Sequence, residues 1–396
     1  MNYILFDNES WQNFLPLTFT RPISEIRLGI LKISEKWNKY LNQEISFLTQ
    51  DYLSNKYPAK IVGENILINA CVLPNKALLE AIESLSTGQI LVHDGILIAA
   101  LVKEEDVAKF DASLPEHSEK IVFEGELLRI EKSYDIFQLN DKALRDDFEL
   151  LTAGRKSQEI SKTVNVLCEE NIFLEEGASV EFATLNAKEG PIYIGKDAEI
   201  MEGSLVRGPL AMCEHSALKL GAKVYGATTL GPYCKSGGEL SNVVFFGYAN
   251  KAHDGFLGNA VIGEWCNIGA DTNNSNLKNN YSEVKLWNYK SNRFNKTGLQ
   301  FCGTIMGDHS KCGINTMLNT GTVIGVSANV YGAGFPRNFI PSFSMGGNHG
   351  FQEYRLKAAH EVAQLVMQRR GIEFDEVEQG IMDHVFEITA KYRKSF

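Results

Sequence analysis

His253 lies in Lys251-Ala252-His253-Asp254-Gly255-Phe256-Leu257-Gly258, with a cation two places before it and a carboxylate directly after. A neutral imidazole can take a proton from an attacking amine near neutral pH. Asp254 could orient the ring, but adjacent residues often point to opposite faces. Anionic substrate groups need cations. The candidates are Arg207, Lys235 and Lys251 as substrate-binding residues, and Arg207, next to an inward Val206, should face outward. A second set stands near the N-terminus in Pro16-Leu17-Thr18 and Arg21-Pro22, followed by Arg27. Arg21 and Arg27 could hold phosphate. Single histidines and solvated cations occur on any surface, so these residues gain weight only from the elements that position them.

The positioning element is legible as a beat of six. Ile194, Ile200, Val206, Met212, Leu218, Val224 and Leu230 are evenly spaced, and four places after each comes Ala198, Ser204, Leu210, Ser216, Ala222, Thr228 or Cys234. A second run, Met306, Cys312, Leu318, Ile324 and Val330, is followed in the same slot by Ser310, Thr316, Thr322, Ala328 and Gly334. Helices repeat near 3.6 and strands at 2, so neither explains this period. A coil of short parallel strands does, with one large residue inward on each flat side and a small one at each corner. The phase slips after Leu230, and Phe256, Ile262 and Ile268 are expected to resume it. Asn273–Asn295 breaks out as a polar loop, and long loops are often functional.

In front of the coil, residues 1–155 read as α/β. Strands are expected at Tyr3–Phe6, Ile45–Leu48 and Ile66–Ile68, with hairpins around His93-Asp94-Gly95 and Glu124-Gly125-Glu126. Helices are expected from Ile26 to Leu41, over Leu73–Leu85 and over Leu139–Leu151. Gly154 to Lys162 is polar and reads as a linker. The coil is assigned to 163–345. The segment 350–396 reads as two helices that cap the coil or reach a neighbouring subunit.

A chain of 396 residues, 44% hydrophobic and 22% charged, is an ordinary globular composition. The net charge of −10 disfavours nucleic acid as a partner. No apolar run reaches the length of a membrane span, and MNYILFDNESW lacks the basic start of a signal peptide. The cysteines form no CxxC pair. They read as reduced small hydrophobes of a cytoplasmic protein, not as metal ligands.

The segment KAHDGFLGNAVIG, followed by NIGA, resembles the KAGHLTYLGDAEIG and NIGAG region of the GlmU-like family. These are bifunctional N-acetylglucosamine-1-phosphate uridylyltransferase/glucosamine-1-phosphate acetyltransferases. A variant bacterial branch is closer still. It pairs LPLTxTRPxxEIRxGIxxxxEKW with HDGFLGxxxxGEWxNxGAxTxxSxLKNxY, present here as Leu15–Trp37 and His253–Tyr281. The resemblance implies a left-handed parallel β-helix behind a shortened nucleotidyltransferase-like domain. It implies acetyl-CoA as cosubstrate, His253 as general base, Asn267 and Ala270 near the acyl donor, and Asn276 at the substrate. Acyl transfer from a thioester also needs N–H donors for the developing oxyanion. The resemblance further implies a homotrimer, with the donor between two coils and the loop Asn273–Asn295 over a neighbour's site.

Several features depart from the family, among them Leu277 in place of another aromatic-like polar position. Phe256 stands where Tyr is usual, and the first strand is followed by Asp7-Asn8-Glu9-Ser10-Trp11 without the glycine-rich loop that admits a triphosphate. Thr18, Arg21 and Arg27 are then the nucleotide-binding candidates, with Mg²⁺ as a possible cofactor if the front domain is active. The expected function is N-acylation of an amino-sugar phosphate or a nucleotide-linked amino sugar. The alternatives are a sugar-1-phosphate nucleotidyltransferase that trimerises through its coil, and a non-enzymatic sugar-nucleotide scaffold.

Overall fold

The computed structural model describes residues 2–113 and 118–394. Its contacts divide the chain into two compact units. The first holds the chain up to Phe14, Thr20–Ile26 and Leu31–Lys132. The second holds Leu15–Phe19, Arg27–Ile30 and everything from Ser133 on.

The first unit is built on a six-stranded mixed sheet. Its order is Ser46–Leu48, Asn2–Phe6, Glu64–Asn69, Ile96–Lys103, Gln89–His93, Glu119–Val122. Asn2–Phe6 pairs in parallel with both neighbours, and its last four residues are buried. Such a central strand reads as a continuous apolar run. Of the two expected hairpins, the one around Asp94-Gly95 forms. The one around Gly125 does not. Residues 128–130 instead meet the chain near Val72: Leu73 N–H donates to Leu128 O, and Ile130 N–H donates to Cys71 O.

The helix expected from Ile26 begins only at Ile33 and runs to Leu41. Glu35 Oε2 accepts from Lys32 N–H at 2.7 Å and marks the start. Upstream, Gly29 has φ +77, which a helix does not allow. Within the second unit, Asn140 Oδ1 takes the Gly29 N–H at 2.8 Å and Asp147 Oδ2 takes that of Ile30 at 2.7 Å. A Cβ at 29 would lie 2.6 Å from Asp147 Oδ2 and 2.7 Å from the Ala143 backbone. The donors a helix would use are therefore already engaged.

The second unit is a parallel β-helix followed by two helices. All twelve large residues of the two hexad runs are buried, as are the small residues following the first run. The register explains the period. Val206 pairs with Val224, and Ile194 with Met212, one full turn of 18 residues away. Each side of the prism thus takes six residues.

The slip is a run of shortened turns. Leu230 pairs with Phe245 and Ser236 with Lys251, 15 residues on, and Leu240 pairs with Leu257, 17 on. Strands Glu239–Phe245 and Phe256–Ile262 run through a corner on a single left-handed residue each, Asn242 and Asn259. Leu257 consequently takes the inward place expected of Phe256, whose ring is half-buried on the outside. Two sides of the prism merge into one 13-stranded sheet, and the third is a separate ten-stranded sheet.

The polar loop projects between Asn274 and Ile305 and carries the hairpin Lys285–Asn288/Arg293–Lys296. It is pinned to its own chain. Trp287 stacks on Phe339 with centroids 4.2 Å apart, and Tyr392 O–H donates to Asn292 Oδ1 at 2.8 Å. Tyr289 meets Phe19 edge-on at 5.3 Å. The C-terminal helices Leu356–Gln368 and Glu376–Arg393 also pack on their own coil. The Arg393 guanidinium donates to Ser342 O and lies 4.0 Å from the Phe386 ring centre.

Candidate functional site

His253 sits on a corner loop, residues 252–255, between strands Asn250–Lys251 and Phe256–Ile262. Its side chain is exposed and makes no hydrogen bond to any described residue. Asp254 does not hold the ring. The loop backbone, by contrast, is gripped. Lys251 occupies an inward position in register with Ser236 and is 1% exposed. Its ammonium donates to Gly237 O at 3.1 Å, His253 O at 2.9 Å and Asp254 O at 3.4 Å. Burial lowers its pKa to about 8, opposed by the Asp254 and Asp271 carboxylates. Lys251, expected to meet an anionic substrate, is turned inward because those carbonyls replace its water. Glycines let the loop pack this closely. A Cβ at Gly238 would stand 2.7 Å from Gly255 O, and one at Gly255 (φ +114) 2.2 Å from Thr272 O.

The next turn places Ala270 on the same corner. Asp271 N–H donates to Asp254 O, and Asn315 N–H donates to Ala270 O. Asn267 lies on the adjoining flat side, with its Oδ1 accepting from Asn250 Nδ2 at 3.0 Å. Lys235 pairs in register with Asn250 on that side. His253, Ala270, Asn267 and Lys235 therefore share one edge of the coil.

Asn276 does not join them directly. It lies past the opposite end of Phe256–Gly258, a three-residue length of strand or about 10 Å from the His253 corner, and its Nδ2 donates to Asn259 Oδ1 at 2.8 Å. Arg207 is farther away, three strands down the same side, or about 14 Å. It lies in an open groove of about 600 Å³ with Lys223, Tyr225 and Glu239, 3.5 Å from Glu189 Oε1.

The nucleotide-binding candidates fare differently. Arg27 is 4% exposed within the second unit. Its Nε donates to Phe246 O at 3.0 Å and its Nη1 to Ile30 O. It is not helical, and its guanidinium is enclosed by main chain instead of facing a ligand. Arg27→Ala is expected to cost about 2–4 kcal/mol through orphaned carbonyls and lost packing. Urea unfolding checks this, and a variant as stable as the parent would return Arg27 to the ligand-binding candidates. Thr18 and Arg21 are buried.

None of the three lines the strand-end cleft of the first unit, a pocket of about 390 Å³ walled by Asn8, Ser10, Asn69, Cys71, Arg129 and Glu131. Asn69 supports its floor, accepting from Cys71 N–H at 3.0 Å and donating to Leu97 O at 2.9 Å. Asn69 closes the strand Glu64–Asn69 and Asn8 lies just past the adjacent parallel strand Asn2–Phe6, a signal the sequence carried without its glycine loop. Arg129 gave no sequence signal, because its segment pairs with a distant one. The Arg129 Nη2 to Glu131 Oε1 distance is 2.5 Å. Among the described residues no cluster of three His, Cys, Asp or Glu could hold a metal ion. The cysteines are free, and burial raises the Cys234 and Cys312 thiols to about 12.

Fold and site together define a hexapeptide-repeat β-helix protein with an α/β front unit. Residues 3–156 match the family model of sugar nucleotidyl transferases. The chain is 29% identical over 144 residues to a bifunctional sugar-1-phosphate nucleotidylyltransferase/acetyltransferase of Sulfurisphaera tokodaii, covering 36% of this chain and 35% of that one. It is 23% identical over 225 residues to the bifunctional protein GlmU of Synechococcus elongatus, covering 51% and 46%. The chain thus spans between a third and a half of the length of these relatives. A solved Arabidopsis UDP-N-acetylglucosamine acyltransferase aligns over 60% of this chain and 83% of its own at 16% identity, with a TM-score of 0.23, too low to carry an argument. Over these stretches the chain is similar to bifunctional nucleotidylyltransferase/acetyltransferases. Among the described residues no helix is long and apolar enough to cross a membrane.

Proposed function

We propose that the chain transfers an acyl group from acetyl-CoA to the amine of an amino-sugar phosphate or a nucleotide-linked amino sugar. His253 removes the amine proton as nitrogen attacks the thioester carbonyl, and coenzyme A leaves as its thiol. Asn267 and Ala270 lie along the donor, while Asn276 and Lys235 contact the acceptor. The observation that carries this reading is an exposed imidazole on a loop whose backbone is clamped from inside the coil by Lys251. A base must be both reachable and fixed.

The working form is a homotrimer of cytoplasmic chains. The coil bears an apolar surface, with Leu167 and Leu205 each 54% exposed, Leu220 68% and Ile314 71%. A groove between two coils would let the His253 corner of one chain face the Asn276 edge of the next, uniting residues that stand apart on one chain. The anchoring of the polar loop to its own coil argues that it shapes that groove from its own side.

The test is thiol release from acetyl-CoA across a panel of amino-sugar phosphates and nucleotide-linked amino sugars, with light scattering for the trimer mass. Absence of amine-dependent release from every acceptor removes the reading. A second reading, nucleotidyl transfer in the front unit, is favoured by its family match and strand-end cleft. Pyrophosphate release from UTP, Mg²⁺ and a sugar 1-phosphate would support it.

A further inference from the structure

We propose that Asn242, Asn259 and Asn276 form a one-way hydrogen-bond relay that fixes the Asn276 side chain as an acceptor toward the ligand. The recognised group is then a hydroxyl or amine donor on a sugar ring whose apolar face lies on Phe256. The identity of the ligand rests on the acyl-transfer reading; the relay itself does not.

Asn242 and Asn259 stack on successive turns where the 13-stranded sheet passes its corner, and Asn276 follows on the next turn, just past the short strand Asn273–Asn274. The sense of the relay is set at its lower end. Ala227 O and Phe137 O are main-chain carbonyls and can only accept. Asn242 must therefore turn its amide nitrogen to them, at 3.2 and 2.9 Å. Its Oδ1 then accepts from Asn259 Nδ2 at 3.0 Å. Asn259 Oδ1 in turn accepts from Asn276 Nδ2 at 2.8 Å. Each amide is oriented by the one beneath it, and the last is left presenting Oδ1. An unanchored amide would offer either end.

Asn276 is also contiguous with an apolar platform. A Cβ at Gly258 would lie 2.5 Å from the Phe256 ring and 2.7 Å from Asn276 Nδ2, so the ring and the amide lie side by side over the buried Gly258. An aromatic ring beside a fixed acceptor suits a sugar, which has one apolar face and a rim of donors. Asn242 and Asn259 touch no ligand and are positioning residues.

The test compares Asn259→Ala with Asn259→Asp in the full chain. Aspartate still accepts from Asn276 Nδ2, although it loses the donor to Asn242; alanine frees the amide. With acetyl-CoA and glucosamine 1-phosphate as probes, the alanine variant is expected to raise the acceptor KM about ten-fold, the worth of one oriented hydrogen bond. The aspartate variant should stay within about three-fold of the parent, even though both lose thermal stability. Equal KM values in all three proteins, or KM losses that merely follow stability, would overturn the relay. If the parent releases no thiol, the acyl-transfer reading fails by itself, and side-chain amide exchange by NMR on ¹⁵N-asparagine-labelled protein decides the relay. Asn276 Nδ2 protons slowed in the parent and in Asn259→Asp, but fast in Asn259→Ala, support it. Equal rates in all three refute it.

Discussion

His253→Ala is expected to lower coenzyme A release by about 10²–10⁴-fold, the usual share of a general base. The melting temperature should stay within a degree or two of the parent. The side chain is exposed and unbonded, so its removal disturbs neither core nor loop. The loss should fall on kcat more than on the KM for acetyl-CoA, because the imidazole acts on the moving proton and does not hold the donor. Asp254→Asn should change turnover by no more than a few-fold, since its carboxylate does not hold the ring. Turnover of His253→Ala equal to the parent would remove the proposed base. An equal loss in Asp254→Asn would mean that the two side chains pair once substrate is bound.

The coil was legible because its period is a property of the chain alone. Each inward residue of Ile194–Leu230 fills the same slot of a repeating prism, and no distant partner is needed to predict it. The signal failed where the prism departs from 18 residues per turn. The six-residue rule places Phe256 inward because it cannot see that Asn259 turns a corner by itself; Leu257 is the buried one. Arg27 lies outside the helix its spacing predicts for a related reason. Its neighbours do show helical spacing, but Asn140 and Asp147, more than a hundred residues away, take the N–H groups that the helix would need.

Site residues showed the same division. His253 is proposed from its flanking residues alone. The roles of Lys251 and Asn259 depend on what lies one turn below them, and that is fixed by register, not by local sequence.

Lys251→Met makes the largest demand on stability. Methionine fills a similar volume but abandons the carbonyls of Gly237, His253 and Asp254. Each carbonyl left without its donor costs about 1–3 kcal/mol, offset in part because a buried charge is also removed. The net loss expected at pH 7 is about 2–4 kcal/mol, and turnover should fall as the loop loosens.

The pH dependence separates the two contributions. Burial lowers the folded pKa of Lys251 to about 8, against an ordinary 10.5 in the unfolded chain. Between those values the unfolded state binds more protons, so the parent gains stability as pH rises. The gain is absent below about pH 8 and complete above about 10.5, and is on the order of 3 kcal/mol in full. Methionine does not titrate. The gap between parent and variant in urea unfolding should therefore widen steadily from pH 8 to 10. A constant gap would mean that the lysine keeps its ordinary pKa and is solvated in the native protein, which would return it to the surface as a candidate for meeting an anionic substrate.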